Sequence, residues 1–323
     1  MSTISATRYE MTLDEALRKG VFKVTSIVPC DTVFDVFSVG SPGWKALNGI
    51  EREIMPKRSP IDFSKMLLDL QPSCRAIIIG DTHDLSSIVD MVIDNLDLIK
   101  SKGITVLGLE MGEEMGRSVT AYQAENFGKK DIRRFSGREE MQAKVSMKIR
   151  KYDGEKTVSR TMNLFDHATL SGLRIVALDR TEYEIEDRSS IAHLINEEMA
   201  RNIKCQLNKG EFMLAFIGLK HMTGDYTENM RSFEIMENNG VPAILSQKYN
   251  IKSFCVAFCG GKLKILDNDP IAYVSRRMGL RKNGFMIKMD AEKIEKNLLL
   301  QYYRNSDFVI HLPQVEAPLG ELQ

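Results

Sequence analysis

The sequence predicts an α/β fold: a largely parallel central sheet flanked by helices, with a helical insertion over about residues 111–170 and an antiparallel hairpin at one edge. Three observations lead to this prediction. Short apolar runs rich in β-branched residues recur along the chain, helical patterns separate them, and several runs end just before a polar residue. Buried parallel strands alternate with their crossover helices in this manner.

The first strand–helix–strand unit is the clearest element. Residues 75–80 have the apolar, β-branched pattern of a strand that is buried on both faces. Apolar residues at helical spacing follow over residues 85–99, and Gly103 lies just beyond this helix. Residues 104–109 form the next strand, which Glu110 follows. A unit of this size predicts two parallel strands joined by a right-handed crossover.

Further strands are expected in the second half of the chain. Residues 173–178 and 211–217 form the third and fourth strands, with a helix over residues 189–207 between them. The remaining predicted elements are a helix over 227–238, a short strand near 241–245, a hairpin that pairs 253–258 with 262–266 across Gly260 and Gly261, a strand over 285–289, a helix over 291–302 and an apolar run over 308–311.

These patterns divide the chain into three parts. Residues 1–70 are expected to form a helical N-terminal extension, residues 71–266 the α/β core with its insertion, and residues 267–323 a C-terminal α+β extension packed on the core. A chain of 323 residues with 43% apolar residues is long enough to bury a large core.

The overall composition limits the classes of partner. Lys plus Arg and Asp plus Glu both number 44, and this balance argues against a chain-wide attraction for nucleic acid or an anionic membrane. No apolar run reaches the roughly 18 residues of a membrane-spanning helix, and residues 1–10 lack a secretory signal pattern. The five cysteines are scattered. We therefore expect a cytoplasmic protein, with secretion as an effector by another route left open. The oligomeric state does not follow from the sequence.

Polar side chains follow four of the predicted strands. Asp81 and His83 follow the first strand, and Glu110, Asp179 and His221 follow the next three in turn. Ligands in open parallel sheets bind at the carboxyl ends of the strands, so we expect these residues to converge. His83, Glu110, His221 and Asp81 suit a divalent metal such as Mn, Zn, Co or Fe. Without a metal, the two histidines and Glu110 suit acid–base catalysis.

The helix over residues 189–207 supplies further candidates. Glu198 and Asn202 fall one turn apart within its apolar stripe, which includes Leu194, and Arg201 lies on the border of that stripe. Burying a carboxylate and an amide costs several kcal/mol unless they find partners. A site beneath the sheet edge would supply partners, and an exposed helix end is the alternative.

Residues 129–151 form a basic segment within the predicted insertion, with nine Lys or Arg residues and three Asp or Glu residues. Two interpretations remain open. The segment is either a lid that guides an anionic substrate to the site, or a solvated helical face.

Four short motifs together resemble one protein superfamily. They are Gly80-Asp-Thr-His83-Asp84, Gly108-Leu-Glu110-Met111, Arg201-Asn202 on a helix, and FIGLKHMTG over residues 216–224. In this order and spacing they are similar to motifs of the superfamily that groups erythromycin esterases, ChaN-like haem-binding lipoproteins, TraB and Tiki proteases, and a domain of the Pasteurella multocida toxin. The resemblance covers about residues 75–260.

The resemblance implies a site whose residues, carried over motif by motif, are His83, Glu110 and His221, with Arg201 and Asn202 bracing them. Asp81 stands where the superfamily commonly has a glutamate, so its carboxylate reaches one methylene less far. Members of the superfamily hydrolyse a macrolactone ester, cleave peptides with a divalent metal or bind haem. The resemblance therefore implies a site more firmly than a substrate.

A hydrolase is the leading functional hypothesis. His83 and His221, with Glu110 and Asp81, bind a divalent cation or directly activate water that attacks an ester or amide carbonyl of a small molecule or peptide. The first alternative is a haem- or metal-binding protein without turnover. The second alternative is a bacterial toxin or effector domain.

Overall fold

The computed structural model describes residues 42–81, 86–149, 154–179, 192–224, 238–260, 270–280 and 282–313, and every structural statement below refers to these residues. Seven strands form one sheet. They are β1 (Ala76–Asp81), β2 (Val106–Leu109), β3 (Arg174–Ala177), β4 (Met213–Gly218), β5 (Ser253–Gly260), β6 (Phe285–Lys288) and β7 (Phe308–Leu312).

The predicted α/β class is confirmed. The sheet has the order β3–β2–β4–β1–β5–β7–β6, and every neighbouring pair is parallel except β6 and β7, which are antiparallel. The antiparallel pair therefore comes from the C-terminal part of the chain. β5 lies between β1 and β7, and residues 261–269 of the predicted hairpin lie outside the described residues.

Helices cover both faces of the sheet. Those described are α1 (Pro42–Gly49), α2 (Phe63–Leu68), α3 (Ser86–Asp94), α4 (Leu96–Ser101), α5 (Glu113–Asn126), α6 (Arg138–Ile149), α7 (Gly154–Leu170), α8 (Ala192–Leu207), α9 (Leu219–Thr223), α10 (Val241–Tyr249), α11 (Pro270–Arg277) and α12 (Ala291–Lys296). Short π- and 3₁₀-helical segments, Ile50–Ile54, Met55–Lys57, Ile132–Arg134 and Leu298–Tyr303, supplement them. None of the described helices is long and apolar enough to cross a membrane.

Alternate side chains of the strands belong to two separate hydrophobic cores, one on each face of the sheet. In β1, Ile78 belongs to the core that contains residues of α1 and α8–α12, whereas Ile77 and Ile79 belong to the core that contains residues of α2–α7. All three isoleucines are fully buried, which explains why this strand has no polar alternation in its sequence. The helical insertion (α5, α6 and α7) covers the second face and the β3 edge.

Two local predictions on the first face are wrong. Residues 241–245 form the start of α10 and not a strand, because Pro242 occupies the first turn, where its missing N–H has no helical partner to lose. Leu194 is 54% exposed and lies off the buried stripe of α8. The predicted helix over residues 227–238 lies almost entirely outside the described residues.

A buried carboxylate ties the insertion together. Asp166 of α7 accepts hydrogen bonds from the Tyr122 hydroxyl at 2.6 Å and from Arg138 Nε at 2.7 Å. Burial, together with the bond to Asp166, raises the pKa of Tyr122 well above its usual range. The basic side chains of Lys129, Arg133, Arg138 and Lys144 all bond to other protein groups here. Guidance of an anionic substrate by this segment stays a prediction.

Both edges of the sheet have partners. At β3, the side-chain amide of Gln123 accepts from the Ile175 N–H at 2.7 Å and donates to the Leu173 carbonyl at 2.8 Å. At β6, Ser59 and Met286 exchange two backbone hydrogen bonds of 2.9 and 2.8 Å. At each edge, one outward-facing N–H group and one outward-facing C=O group are thereby satisfied.

The pH dependence of stability is expected to report on His311 of β7. This imidazole is fully buried and stacks on Phe285, and burial lowers its pKa to about 4 from the ordinary 6.5. The unfolded chain binds this proton more tightly, so the stabilisation is complete above pH 6.5 and is lost as the pH falls toward 4. We expect a loss of about 2 kcal/mol between pH 7 and pH 5. Urea unfolding at both pH values measures it.

Two variants isolate the contribution of His311. His311→Leu should remove most of this pH dependence, whereas Phe285→Leu keeps the imidazole and should retain it. An equal pH slope in wild type and His311→Leu would show that another group is responsible.

Candidate functional site

Three neighbouring strands bring their carboxyl ends to one place. β2, β4 and β1 are adjacent in the sheet, and they lead into Glu110, into the turn that carries His221, and into Asp81. Asp81 is in register with Gly218, the last residue of β4. The Glu110 N–H continues the pairing of β2 with β4 through the Phe216 carbonyl at 3.1 Å. The predicted convergence therefore holds for Glu110, His221 and the end of β1.

The Glu110 carboxylate extends this hydrogen-bonded ladder. Its Oε2 accepts from the Gly218 N–H at 2.6 Å, one step beyond the point where β2 ends. Its Oε1 lies 3.2 Å from His221 Nε2. A backbone N–H at a strand end needs an acceptor, and here a side chain that is 14% exposed supplies it. Glu110 is thus fixed by the sheet and still reachable from solvent.

His221 lies on α9, a single short helix that begins directly after β4. This helix packs on the end of β1, where a Cβ on Gly80 would meet Met222 Sδ at 2.8 Å and Leu219 Cδ1 at 3.1 Å. The helix ends at Gly224, whose φ of +77° favours glycine. The two glycines explain how the Gly-x-x-His segment folds back over the sheet edge.

Asn196 of α8 is a site residue that sequence reasoning missed. Its Oδ1 lies 2.6 Å from His221 Nδ1, and its Nδ2 donates to the Asn239 carbonyl at 2.9 Å. The side chain is only 2% exposed. A signal was present in the sequence, because Asn196 stands three and seven residues before Met199 and Ile203 on the buried stripe of α8.

These contacts define where protons reside. The Asn239 carbonyl requires an N–H from Asn196, so the amide oxygen of Asn196 faces His221 and requires a proton on Nδ1. Nε2 then faces a carboxylate oxygen at 3.2 Å, and two acceptors at this distance need a proton between them. The contact between His221 Nε2 and Glu110 Oε1 is therefore a hydrogen bond only when Nε2 also carries a proton.

The other predicted site residues occupy different positions. Asn202 is buried and donates to the Leu178 carbonyl at 2.7 Å, which anchors α8 to the chain after β3. Arg201 is 62% exposed and pairs with Glu198 of the same helix at 3.5 Å. Asp179 is buried just beyond β3. His83 lies outside the described residues.

The pair of Glu110 and His221 fits a divalent metal as well as a proton. Two ligands about 2.0–2.2 Å from a tetrahedral ion lie roughly 3.3–3.6 Å apart, slightly more than the 3.2 Å observed. The outer bonds to Asn196 and Gly218 are of the kind that orient metal ligands. Over the described ranges no group of three or more His, Cys, Asp or Glu side chains is arranged to hold a metal ion.

Comparisons with known proteins give remote structural likenesses. No protein-family model matches the chain, and no curated protein matches it either. Among solved structures, the type III effector HopBA1 has 12% identity and a TM-score of 0.46, over 74% of this chain and 88% of that one. A succinoglycan biosynthesis protein has 12% identity and a TM-score of 0.46, over 84% and 97%.

A third solved structure is RRSP, a MARTX toxin effector domain from Vibrio vulnificus CMCP6, with 18% identity and a TM-score of 0.39 over 67% of this chain. The match spans 44% of that chain, less than half of its length. Two of the three similar structures are thus bacterial effectors or effector domains. At these scores none of them transfers a function.

Proposed function

We propose that this protein is a hydrolase that cleaves an ester or amide bond with Glu110 and His221 as the reacting pair. The observation that carries the proposal is the 3.2 Å contact between Glu110 Oε1 and His221 Nε2, with each side chain fixed by a second hydrogen bond. A base and an acid held at hydrogen-bond distance are what general acid–base catalysis needs. Both side chains stay partly exposed, at 14% and 18%, so a substrate can reach them.

The chemistry conserves one shared proton. Glu110 takes a proton from water as the water oxygen bonds to the carbonyl carbon. His221 donates the Nε2 proton to the leaving oxygen or nitrogen as its bond to the carbonyl carbon breaks. The proton on Glu110 then returns to Nε2. The products are a carboxylic acid and an alcohol or amine, and the pair ends with the proton it had at the start.

A divalent metal is compatible with the same residues. Glu110 and His221 would hold it, and His83 and Asp81 are the further ligands that the sequence predicts. Such a metal supplies a bound water with a pKa near 7. In either case Asn196 and Gly218 orient the two side chains.

The two alternative functions stay predictions. Haem ligation through His221 would require Nε2 to leave Glu110, because the two atoms face each other at 3.2 Å. A toxin or effector role concerns where the protein acts, and it is compatible with hydrolysis.

Isotope labelling tests the proposed function even though the substrate is unidentified. The protein is incubated in H₂¹⁸O with extracted metabolites and a proteome-derived peptide mixture, and mass spectrometry searches for products that carry ¹⁸O in a new carboxylate. We expect such products with wild type and their loss with Glu110→Gln. Parallel samples, either treated with a chelator or supplied with Mn²⁺, Zn²⁺, Co²⁺ or Fe²⁺, reveal whether a metal is needed. Identical products from wild type and Glu110→Gln would refute the proposal.

A further inference from the structure

We propose that Asn196 is the positioning residue that fixes the proton of His221 on Nδ1, so that Nε2 is the ring nitrogen left to act toward Glu110 and a substrate. This inference rests on the proposed function for its consequence in catalysis. Its structural content, the tautomer of one imidazole, stands independently of any activity.

The orientation of the Asn196 amide is determined on both sides. A flipped amide would place its oxygen against the Asn239 carbonyl and its NH₂ against His221 Nδ1, so it would lose the bond to Asn239 at 2.9 Å. The side chain is 2% exposed, and water cannot compensate for that loss. The amide orientation, and with it the proton on Nδ1, therefore follows from the position of the Asn239 carbonyl.

Hydrogen bonds from the side chain of Asn305 hold the segment that carries this carbonyl. Asn305 donates to the Met222 carbonyl at 2.9 Å and exchanges hydrogen bonds with the side chain of Asn238 at 2.7 and 3.0 Å. Asn305 thus connects Asn238 to Met222, the residue after His221. Gly240 and Gly224 lie in close backbone contact, since a Cβ on Gly240 would meet the Gly224 N at 3.0 Å. The helix that carries His221 and the segment that carries the Asn239 carbonyl are therefore linked by hydrogen bonds and close backbone packing.

The consequence concerns the other ring nitrogen. A neutral imidazole with its proton on Nδ1 presents a bare Nε2 to the Glu110 carboxylate at 3.2 Å, and this arrangement is repulsive until a cation enters. Without Asn196, the imidazole is free to carry its single proton on Nε2 and donate it to Glu110.

The test is ¹⁵N NMR of the histidine side chains in the full-length, chelator-treated protein at pH 7.5. The signals of His221 are assigned by their absence from His221→Gln. In wild type we expect the ¹⁵N chemical shift of His221 Nδ1 to lie in the range of a protonated ring nitrogen. In Asn196→Leu, Nδ1 should move to the unprotonated range while Nε2 is protonated, and Asn196→Asp, which keeps an oxygen acceptor, should restore the protonated Nδ1.

Asn126→Leu is the matched control. Asn126 is also a buried helical asparagine, 1% exposed, and it forms hydrogen bonds with Ser136. It is the last residue of α5, about 20 Å along the helix axis from the first turn, which follows Glu110. It should lower stability comparably and leave the His221 signals unchanged. An unprotonated Nδ1 in wild type, a protonated Nδ1 in Asn196→Leu, or an altered tautomer in the control would each overturn the inference. If NMR shows the expected tautomers but the protein releases no ¹⁸O-labelled product, the proposed function is refuted and the inference about Asn196 stands.

Discussion

Glu110→Gln is expected to lower kcat for the substrate found by ¹⁸O labelling by about 10²–10⁴-fold, with a small change in KM. The glutamine oxygen can still accept from the Gly218 N–H, so the turn after β4 keeps its geometry. Its NH₂ group would face His221 Nε2, where the carboxylate oxygen now lies. The variant therefore retains the fold and loses the group that accepts a proton from water. Steady-state kinetics and thermal unfolding together measure both effects.

Glu113→Gln is the matched control for this prediction. Glu113 lies three residues further along the chain, is half exposed, and pairs with Arg117 at 3.0 Å on the surface of α5. An exposed pair of this kind contributes little to stability, so rate and melting temperature should both stay near those of wild type. A rate for Glu110→Gln within threefold of wild type, with the fold intact, would exclude Glu110 from the chemistry. The variant Glu110→Gln/His221→Gln should be little slower than Glu110→Gln, because the two residues act as a unit.

Gly240→Ala is expected to lower the free energy of unfolding by about 3 kcal/mol, or roughly 4–5 °C in melting temperature. The added Cβ would lie 2.3 Å from the Met222 carbonyl oxygen and 2.8 Å from Asn305 Nδ2. The carbonyl oxygen belongs to the backbone of α9, so relief of the clash requires movement of the helix that carries His221. Circular dichroism melting measures the loss.

Gly112→Ala separates this clash from a general effect of replacing glycine. Gly112 precedes α5 with φ −68° and ψ 163°, and Gly240 precedes α10 with φ −66° and ψ 152°, so alanine is equally compatible with both backbones. Among the described residues, apart from its two chain neighbours, no heavy atom lies within 4 Å of a Cβ built on Gly112. Its substitution should change stability by less than about 0.5 kcal/mol. Equal melting temperatures for the two alanine variants would contradict the close approach of Gly240 to α9.

The sequence predicts where the strands lie along the chain better than it predicts which strands are adjacent in the sheet. The apolar pattern of β1, β2 and β4 locates Glu110 and His221 at strand ends, and both residues lie where that pattern places them. It does not reveal that β4 lies between β2 and β1, and this order is what brings Glu110 within reach of the Gly218 N–H. Strand order depends on packing between distant segments, which no local periodicity records.

Two other features show why local patterns fall short. Asn196 is recognisable only as an amide on a buried stripe, and its importance depends on a carbonyl 43 residues later in the chain. The apolar run over residues 241–245 suits a strand by composition, yet Pro242 in the first turn and the Gly240 cap start a helix. Burial from two sides makes short helices and strands alike in composition.

The side chain of Gln123 has a consequence for the behaviour of the protein in concentrated solution. Its amide meets the N–H of Ile175 and the carbonyl of Leu173 as the peptide group of an additional strand would. A second polypeptide that approaches the β3 edge finds these backbone groups already occupied and must break two good hydrogen bonds before it can pair. One glutamine therefore protects the sheet against growth by strand addition, the first step of many aggregation reactions.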